Sequence, residues 1–389
     1  MRSPLLALAA VASLLGACTE PPQRSMPPPP PKPLQSQAGS PTTSSGKARI
    51  AMLLPLTGRA AAIGQAMQQA AEMALFDSGG KDLALAAYDS GDTGDTAVEA
   101  YKRAQTDGAA LILGPLFGAS ATAIAPLRRS DRINIISFSN DESVAQPGLW
   151  VMGIAAPPQV RRVVDHSISA GIRRFAVFAP RTAYGDQMAR TLESQVAIRG
   201  GTLVATEFYD DGADLGAATR RLADASRDEG KLAILVPVAP PRVTTVLAAL
   251  AGAGIDSKAV QLIGTGVWDV PGIGSETMLQ GAWYAAPDPA RRADFERKFV
   301  ATYGRPPQRL ATLAYDAVGL AGQLARLKPG GDFSAEALAN PNGWYGVDGI
   351  FRLLPDGRTE RGLAVIEIQG DRGLVVSPAP STFAGQPTN

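Results

Sequence analysis

The chain has 389 residues, 45% of them hydrophobic, which is enough to bury a large core in one domain or in two lobes. Lys and Arg together number 37 against 36 Asp and Glu, and no basic stripe predicts nucleic acid as a partner. A single cysteine and a single histidine exclude an intramolecular disulfide and histidine- or cysteine-rich metal sites. No catalytic set of residues is recognisable, so we expect neither enzyme activity nor a bound metal or cofactor.

The N-terminal residues have the pattern of a signal peptide followed by a lipid attachment site. Arg2 precedes an apolar run at 5–15, which is too short to span a bilayer but suits a secretory signal. The letters LGAC, ending at Cys18, resemble the bacterial lipobox, in which the chain is cut before the cysteine and the cysteine is acylated. We expect residues 1–17 to be a signal peptide and Cys18 to be lipidated; the alternative is a signal peptide with a chance cysteine.

Residues 18–46 have the composition of a disordered tether. Pro, Ser, Thr, Gln and Gly dominate, and such a segment cannot bury enough apolar surface to offset its ordering entropy. The proline run at 27–31 favours stiff polyproline II, and at about 3.1 Å per residue the tether could reach on the order of 80 Å. Thr19, where inner-membrane lipoproteins commonly have Asp, favours the outer membrane of a two-membrane envelope.

From residue 47 onwards, apolar strands alternate with helical segments. The predicted strands of the first unit are 49–56, 83–89, 109–115 and 133–139, and its helices are 64–80, 95–106 and 120–129. The second unit has helices at 158–170, 185–199, 213–228 and 241–253, each followed by a strand, at 174–180, 202–208, 232–238 and 260–265. Uniformly apolar strands joined by helices predict two parallel sheets, each covered on both faces.

The last part of the chain departs from this alternation. It predicts a strand at 281–286, helices at 289–303 and 309–327, and a hairpin that turns at Pro355-Asp356-Gly357.

Five short segments carry a family resemblance. In chain order they are IAMLLPLTGRAAAIGQAMQQAAEMAL, YDSGDTGDTAVEAYKRA, LILGPLFGASATAIAPL, AYGDQMARTLE and FRLLPDGR. Together they resemble the type I periplasmic-binding-protein fold in its leucine/isoleucine/valine-binding family. The resemblance covers residues 49–369 and implies an α/β fold of two doubly wound, Rossmann-like lobes. It also implies three crossovers between the lobes, which we expect near 151–157, 284–288 and 343–349.

On this resemblance we expect lobe one to comprise residues 47–154 and 286–343. Lobe two would comprise residues 155–285 and 344–372, and residues 373–389 would form a disordered tail.

The resemblance places a ligand in the cleft between the lobes, outside the carboxyl ends of the strands. The residues predicted to line this cleft are Leu116, Phe117, Gly118, Ser120, Ser137, Ser139 and Asn140 in lobe one, and Tyr184 and Trp268 in lobe two. Helix N-termini after Gly118 and Asn140 would suit a ligand carboxylate. Ser and Asn also cap helices and fill turns without a ligand, and Tyr184 and Trp268 fit core or hinge packing at least as well.

The lobe-two loops depart from the pattern of amino-acid binders in this family. Such proteins usually have an acid directly after the strand that matches 260–265, where it holds the ligand ammonium; here the loop reads GTGVWDV and the acid is displaced to Asp269. An α-amino acid ligand is therefore disfavoured.

Two functions remain open at this point. The favoured one is a lipoprotein resembling the activators of penicillin-binding proteins, whose partner would be a peptidoglycan synthase. The alternative is the substrate-binding lipoprotein of an ABC importer for branched-chain or other amino acids, whose partners would be a permease and that small ligand. Both imply the periplasmic face of the envelope, a lipid anchor in the membrane, and a cleft open to an amino acid or a cell-wall fragment.

Overall fold

A computed structural model describes residues 46–78, 80–210, 212, 215–227 and 229–383. The predicted signal peptide, Cys18 and the tether up to residue 45 lie outside the described residues, as do residues 384–389. No helix in the described part is both long and apolar enough to cross a membrane.

Strands and helices alternate through most of the described chain. The first unit consists of β1 (Ala48–Leu54), α1 (Ala61–Asp77), β2 (Leu83–Asp89), α2 (Gly94–Thr106), β3 (Leu111–Leu113), α3 (Gly118–Asp131), β4 (Asn134–Ser137) and β5 (Leu149–Val151). The second consists of α4 (Ala156–Ser169), β6 (Arg174–Pro180), α5 (Ala183–Ile198), β7 (Thr202–Tyr209), α6 (Gly216–Ser226), β8 (Leu232–Leu235), α7 (Arg242–Gly252) and β9 (Gln261–Gly264). The remaining elements are β10 (Trp283–Ala286), α8 (Pro289–Tyr303), α9 (Ala311–Leu327), α10 (Ala335–Leu338), β11 (Trp344–Gly346), β12 (Gly349–Leu353), β13 (Thr359–Arg361), β14 (Ala364–Gln369) and β15 (Arg372–Ser377).

The strands form two large sheets and one small one. The sheet of lobe one has the order β2-β1-β3-β4-β5, and all its neighbours are parallel. The sheet of lobe two has the order β15-β14-β10-β9-β8-β6-β7, in which only β14 and β15 run antiparallel to their neighbours. The prediction of an α/β fold with two doubly wound parallel sheets is confirmed.

The apolar strands are explained by helices on both faces of each sheet. Ile50 and Met52 of β1 point to the face covered by α9, whereas Ala51 and Leu53 point to the face covered by α2. Each of these side chains is at most 1% exposed. Fully burying a large apolar side chain contributes about 1.5–3 kcal/mol, so a continuous apolar run is favoured in a strand with two covered faces.

Two of the three crossovers lie in the expected ranges. The chain passes from β5 in the first sheet to lobe two through residues 152–155. It returns between β10 and α8, at residues 287–288, because Phe295 and Phe299 of α8 pack on α1 of lobe one.

The third crossover differs from the prediction. It lies at residues 362–363, not at 343–349, because the small sheet β11-β12-β13 packs on lobe one. Trp344, Phe351 and Leu353 belong to the same apolar core as β1, β3 and α9. Residues 344–361, which we assigned to lobe two, are therefore part of lobe one; their bulky apolar side chains are buried there rather than across the cleft.

The C-terminal region is also more ordered than the sequence suggested. Residues 373–389 were expected to be a disordered tail, but β15 extends the lobe-two sheet by pairing with β14. Beyond this strand, Phe383 is 2% exposed and lies under the guanidinium group of Arg352. The central carbon of the guanidinium is 4.7 Å from the centre of the Phe383 ring. The expectation of disorder is wrong for residues 373–383, since backbone pairing and one buried aromatic ring hold this segment.

The β12–β13 hairpin turns at the predicted position and docks on the edge of lobe one. The amide of Val151 in β5 donates to the carbonyl oxygen of Gly357 at 2.9 Å, and the Trp150 indole donates to the carbonyl oxygen of Leu354 at 2.7 Å. Gly357 has φ +91°, and a Cβ at this position would lie 2.4 Å from the amide nitrogen of Gln146. The turn therefore requires glycine for its conformation and also for the close approach.

Gly357→Ala is expected to lower the free energy of unfolding by about 2 kcal/mol, because it combines an unfavourable φ with a backbone clash. Urea unfolding followed by circular dichroism measures this change. Gly254→Ala is the matched control, since Gly254 has φ +85° but an added Cβ would meet nothing within 4 Å. An equal loss of stability in both variants would show that the contact with β5 contributes nothing.

Candidate functional site

The carboxyl edge of the lobe-one sheet is lined by half-buried apolar side chains. Leu56 follows β1, Ile63 lies in the first turn of α1, Phe117 precedes α3, and Ile154 follows β5. All four pack against the lobe-one core while part of their surface stays exposed. The wall of the predicted cleft is therefore largely apolar on this side.

The three serines predicted in this wall are buried and engaged within the protein. Ser120 is 1% exposed, and its hydroxyl donates to the carbonyl oxygen of the residue that caps α2, at 3.3 Å. The Ser137 hydroxyl donates to the carbonyl oxygen of Pro115 at 2.9 Å. The Ser139 hydroxyl accepts a hydrogen bond from the amide of Asp141 at 3.0 Å. These contacts fit the structural role of serine in turns better than contact with a ligand.

The start of α3, where we predicted free amide groups, has no side-chain cap. Phe117 is the N-cap residue and makes no side-chain capping bond, so the first amides of the helix, beginning at Gly118, lack that partner. Leu116 beside it is 8% exposed and belongs to the core. A Cβ on Gly118 would lie 3.0 Å from a carboxylate oxygen of Asp141. A negative charge of the protein itself thus lies next to this helix start, where it opposes binding of a second carboxylate.

The second predicted helix start, after Asn140, is only a short turn. Asn140 is exposed, and residues Glu142–Val144 form a single 3-10 turn. The Asp141 carboxylate caps this turn by accepting a hydrogen bond from the amide of Ser143 at 3.0 Å. The expectation of a free helix N-terminus at this place is wrong, because the acid that begins the turn already satisfies it.

The two aromatic residues predicted in lobe two are held by lobe-two contacts. The Tyr184 hydroxyl lies 2.9 Å from the Thr265 hydroxyl, and burial raises the pKa of Tyr184. Trp268 is fully buried, and its indole N–H donates to the carbonyl oxygen of Val238 at 3.0 Å. A Cβ on Gly264 would lie 2.5 Å from the Trp268 ring. Trp268 is thus a core residue under the loop after β9 and has no surface to offer a ligand.

Trp268→Phe is expected to lower the free energy of unfolding by about 1–2 kcal/mol, because it keeps an aromatic ring but leaves the Val238 carbonyl without its indole donor. Chemical denaturation of the full-length chain measures this change. Tyr345→Phe serves as the control for loss of one polar group from a mostly exposed aromatic residue, 65% exposed in this case. If Trp268→Phe lowers the free energy of unfolding no more than the control does, the buried hydrogen bond does not contribute to stability.

An ion-pair cluster joins the two lobes beside the loop after β9. Asp269, which follows β9 in lobe two, accepts hydrogen bonds from Arg292 at 2.8 Å and from Arg309 at 3.3 Å. Arg292 lies on α8 and Arg309 just before α9, both in lobe one. The Asp269 and Arg292 side chains are each 13% exposed. Burial acts to lower the pKa of Arg292, but the hydrogen bond and charge of Asp269 outweigh burial and raise it.

This cluster accounts for the acid that the sequence showed to be displaced. In an amino-acid binder of this family, the acid after this strand would be available for the ligand ammonium. Here the carboxylate of Asp269 is bonded to two guanidinium groups and links the lobes. The sequence identified the acid but not its partners, because Arg292 and Arg309 are 23 and 40 residues further along the chain.

The cluster continues into lobe one as a buried polar network. Arg309 also donates to the Asp348 carboxylate at 3.2 Å, and the Thr312 hydroxyl donates to the same oxygen at 2.6 Å. Asp316 accepts the amide of Val347 at 2.7 Å. Asp348 and Asp316 are 0% and 3% exposed. Each has one carboxylate oxygen without a hydrogen-bond partner in the described part of the chain.

The two buried aspartates have opposite pKa shifts. Burial and the charge of Asp348 raise the pKa of Asp316. Burial also acts against ionisation of Asp348, but Arg309 and Arg361 outweigh it and hold the pKa of Asp348 below its ordinary value. Two carboxylates close together in a low-dielectric site cannot both ionise freely, so Asp348 carries the negative charge that Arg309 needs.

The acidic segment DSGDTGD has a structural role. Asp89 accepts the amides of Leu56 and Gly91 at 2.9 Å each, which holds the loop after β1 to the loop after β2. Thr93 caps α2 in a reciprocal arrangement with Thr96. These contacts make the segment a turn followed by a helix cap. Within the described residues there is no group of three or more potential metal ligands.

Three cavities in the described part of the chain lie away from the nine predicted cleft residues. A cavity of about 1110 Å³ lies between the loop 266–274 of lobe two and α8 of lobe one, with Asp269, Arg292 and Arg309 in its wall. Two others, of about 390 and 940 Å³, lie along α4 and α5. None of these three cavities is lined by any of the seven predicted lobe-one residues, or by Tyr184 or Trp268.

The fold and the two-lobed arrangement define a class of protein. A family model described as periplasmic binding protein matches residues 47–373, and the chain belongs to this family, with the type I, leucine-binding-like fold. A periplasmic location follows from the family.

Solved structures with this fold include binding proteins of transporters. A putative branched-chain amino acid ABC transporter protein from Rhodospirillum rubrum matches with a TM-score of 0.75 and 22% identity, over 85% of this chain and 100% of its own. A leucine-binding protein, LivK, from Thermotoga maritima matches with a TM-score of 0.60 and 19% identity, over 85% of this chain and 98% of its own. At these identities the similarity shows the fold alone.

Curated relatives match over shorter stretches. The penicillin-binding protein activator LpoA of Photobacterium profundum is 26% identical over 150 residues, which is 38% of this chain and 24% of that protein. An uncharacterized protein of Rickettsia prowazekii, RP748, is 25% identical over 162 residues, which is 42% of this chain and 43% of that protein. The chain thus spans less than half the length of these relatives.

Proposed function

We propose that this chain is a non-catalytic envelope lipoprotein that activates a penicillin-binding protein by direct contact and so supports peptidoglycan synthesis. In this role the periplasmic-binding-protein fold presents a fixed surface to a peptidoglycan synthase. A small ligand such as a cell-wall fragment is not needed for this role, and the displaced acid disfavours a free α-amino acid.

The ion-pair cluster at Asp269 is the observation that carries this proposal. An importer binding protein closes two lobes around its ligand by a hinge motion. Here Asp269 of lobe two is already bonded to Arg292 and Arg309 of lobe one. This contact replaces the acid that would hold an ammonium group, and it opposes the opening that ligand entry requires.

The sequence similarity to LpoA supports the same conclusion at low identity. It extends over 150 residues of this chain, and a second LpoA, from Erwinia tasmaniensis, is 25% identical over 114 residues. The tether predicted for residues 18–46 adds a reason of its own. A protein that contacts a synthase across the periplasm from the outer membrane needs such a reach, whereas one that serves an inner-membrane permease does not.

Glycan-strand synthesis by the purified bifunctional penicillin-binding proteins of the same cell tests the proposal. We expect the full-length chain to raise the rate for one of these enzymes and to co-purify with it. The heat-unfolded chain is the control. No change in rate with any of these enzymes, together with co-purification of an ABC permease, would refute the activator role.

Lipid anchoring at Cys18 is a separate part of the proposal. Several acyl chains hold a protein on a bilayer firmly, because each buried methylene contributes about 0.8 kcal/mol. Cys18→Ser should therefore move the chain from the membrane pellet to the soluble periplasmic fraction. A variant that still sediments with membranes would contradict lipidation at this residue.

The alternative is the substrate-binding lipoprotein of an ABC importer. It is favoured by the similarity of the fold to solved structures of ABC transporter substrate-binding proteins. An aromatic acid or another ligand without an ammonium group would fit it best. Tight binding of such a ligand, with closure of the lobes in solution, would favour this alternative.

A further inference from the structure

Two adjoining cavities form one groove outside the predicted cleft. The cavities of about 390 and 940 Å³ share Arg161, Gln195, Ile198 and Arg358 in their walls. The groove runs between α4 and α5 of lobe two and the β12–β13 hairpin of lobe one. We call it the arginine groove.

The arginine groove is strongly basic, although the whole chain is nearly neutral. Its walls carry six arginines, and the three carboxylates among its lining residues are Glu142, Asp165 and Glu360. Two of these carboxylates already form ion pairs with arginines. Asp165 pairs with Arg199 at 2.6 Å, and Glu360 pairs with Arg352 at 2.7 Å. Arg358 pairs with Asp356 at 2.7 Å, and the charge of Arg361 is offset by Asp348, so the positive charge that is left for the groove lies on Arg161, Arg162 and Arg190.

Some of the arginines have structural partners. Arg162 donates to the carbonyl oxygen of Leu363 at 2.9 Å and to the Ser377 hydroxyl at 2.6 Å. Arg361 donates to the carbonyl oxygen of Met152 at 2.7 Å. These two side chains hold the third crossover and the C-terminal strand in place.

Arg161 and Arg190 have no such partner. Within the described residues neither makes a hydrogen bond or an ion pair closer than 4 Å. Arg161 is half-buried, and burial lowers its pKa; the charge of Glu142 acts against this, while the charge of Arg358 adds to it. A desolvated guanidinium group without a hydrogen-bonded anion is costly, so an incoming carboxylate is favoured at this point.

An exposed apolar side chain lies among these charges. Ile198, the last residue of α5, is 72% exposed and lines both cavities. A flat lipid surface could not reach the half-buried Arg161, and an inorganic anion gains nothing from an isoleucine. A peptide that carries an apolar side chain between acidic ones can use both features, as protein interfaces do when arginines surround an apolar anchor.

We propose that the arginine groove docks an acidic segment of a partner protein, with carboxylates on Arg161 and Arg190 and an apolar side chain on Ile198. The site does not depend on the activator role, since either a synthase or a permease could supply such a segment.

Fluorescence anisotropy with a labelled peptide tests this docking site. The probe is a peptide in which a leucine is flanked on each side by two glutamates, and the control peptide has glutamines in their place. We expect the full-length chain to bind the glutamate peptide at least about tenfold more tightly than the control, with an affinity that falls as salt rises. Arg190→Glu should weaken binding of the glutamate peptide about tenfold, and Ile198→Ser should weaken both peptides.

Arg291→Glu is the matched charge control, since Arg291 is exposed on α8, outside the groove. Arg190 is exposed and without described contacts, so its replacement should leave the circular dichroism spectrum unchanged. Equal weakening by Arg291→Glu and Arg190→Glu, or equal affinity for the two peptides, would overturn the proposal. So would binding to anionic vesicles that Arg190→Glu reduces while it leaves the glutamate peptide unaffected.

Discussion

Asp269→Asn is expected to lower the free energy of unfolding by about 3 kcal/mol and to let the two lobes move apart. The substitution keeps the shape of the side chain but removes the charge that Arg292 and Arg309 share. Arg292 is only 13% exposed, so it would be left desolvated without its main counterion. Removing one partner of a mostly buried ion pair is costly in stability, because it leaves the other charge desolvated and unpaired.

Urea unfolding measures the free energy of unfolding, and small-angle X-ray scattering measures the radius of gyration, which increases if the lobes move apart. Asp294→Asn provides the matched control, because Asp294 pairs with Arg297 on the same helix, α8, and the two side chains are 79% and 72% exposed. An exposed pair of this kind contributes about 0–1 kcal/mol. Similar effects in the two variants, with no increase in radius for Asp269→Asn, would mean that the cluster does not hold the lobes together.

Asp348→Asn is expected to cost about 3 kcal/mol near neutral pH. The variant leaves Arg309 and the buried Arg361 without the carboxylate that stabilises both charges, and it weakens the hydrogen bond from Thr312. Because the folded-state pKa of Asp348 is depressed, its contribution is present above the ordinary aspartate pKa and is lost as the pH falls through the depressed value. The difference between wild type and variant should therefore shrink under acid conditions.

Asp316→Asn should behave in the opposite way. The folded-state pKa of Asp316 is raised, so the folded protein binds an extra proton and loses stability as the pH rises from the ordinary aspartate range towards the raised pKa. Asparagine removes this loss, and its oxygen can still accept the amide of Val347. The gain in stability of the variant relative to wild type should grow as the pH rises from the ordinary aspartate pKa to the folded-state pKa of Asp316, about 7.

Thermal unfolding of the two variants across this pH range gives the comparison. A parallel pH dependence for Asp316→Asn and Asp348→Asn would contradict the division of charge between the two aspartates. Their double variant should be destabilised by more than the sum of the single effects, because Arg361 would then lack both carboxylates that offset its charge.

The sequence predicted the parallel part of the fold well, for a physical reason. Each strand of a covered parallel sheet must be apolar throughout, and each crossover helix needs one apolar stripe, so both patterns are visible in single segments. The segments 83–89, 174–180 and 289–303 were predicted with the bounds that β2, β6 and α8 have in the structure.

The elements that were missed depend on contacts between distant segments. Strand β5 has only three residues and exists through its pairing with β4 and the docked hairpin turn. The small sheet β11-β12-β13 has apolar residues that either lobe could have buried, and its sequence alone does not indicate which lobe does so. Strand β15 was missed because the Pro- and Ser-rich residues after it suggested disorder.

The candidate site was less predictable than the fold. A serine after a strand can face a ligand or close a turn, and only the position of the next turn decides which. Ser137 and Ser139 are satisfied by neighbours two or more residues away, and Trp268 is buried under its own loop. The interlobe cluster could not be predicted, because it joins Asp269 to arginines of the other lobe that have no sequence signature.

Thermal unfolding of the full-length chain in the presence of each amino acid tests most directly whether the Asp269 cluster has replaced an amino-acid site. A ligand at about 100 times its dissociation constant would stabilise the folded state by about 2.7 kcal/mol. We predict no shift of the unfolding temperature with leucine, isoleucine, valine or any other free amino acid. A clear stabilisation by one of them would contradict the account in which Asp269 is bonded to Arg292 and Arg309 and is not available to a ligand. It would favour the importer function instead.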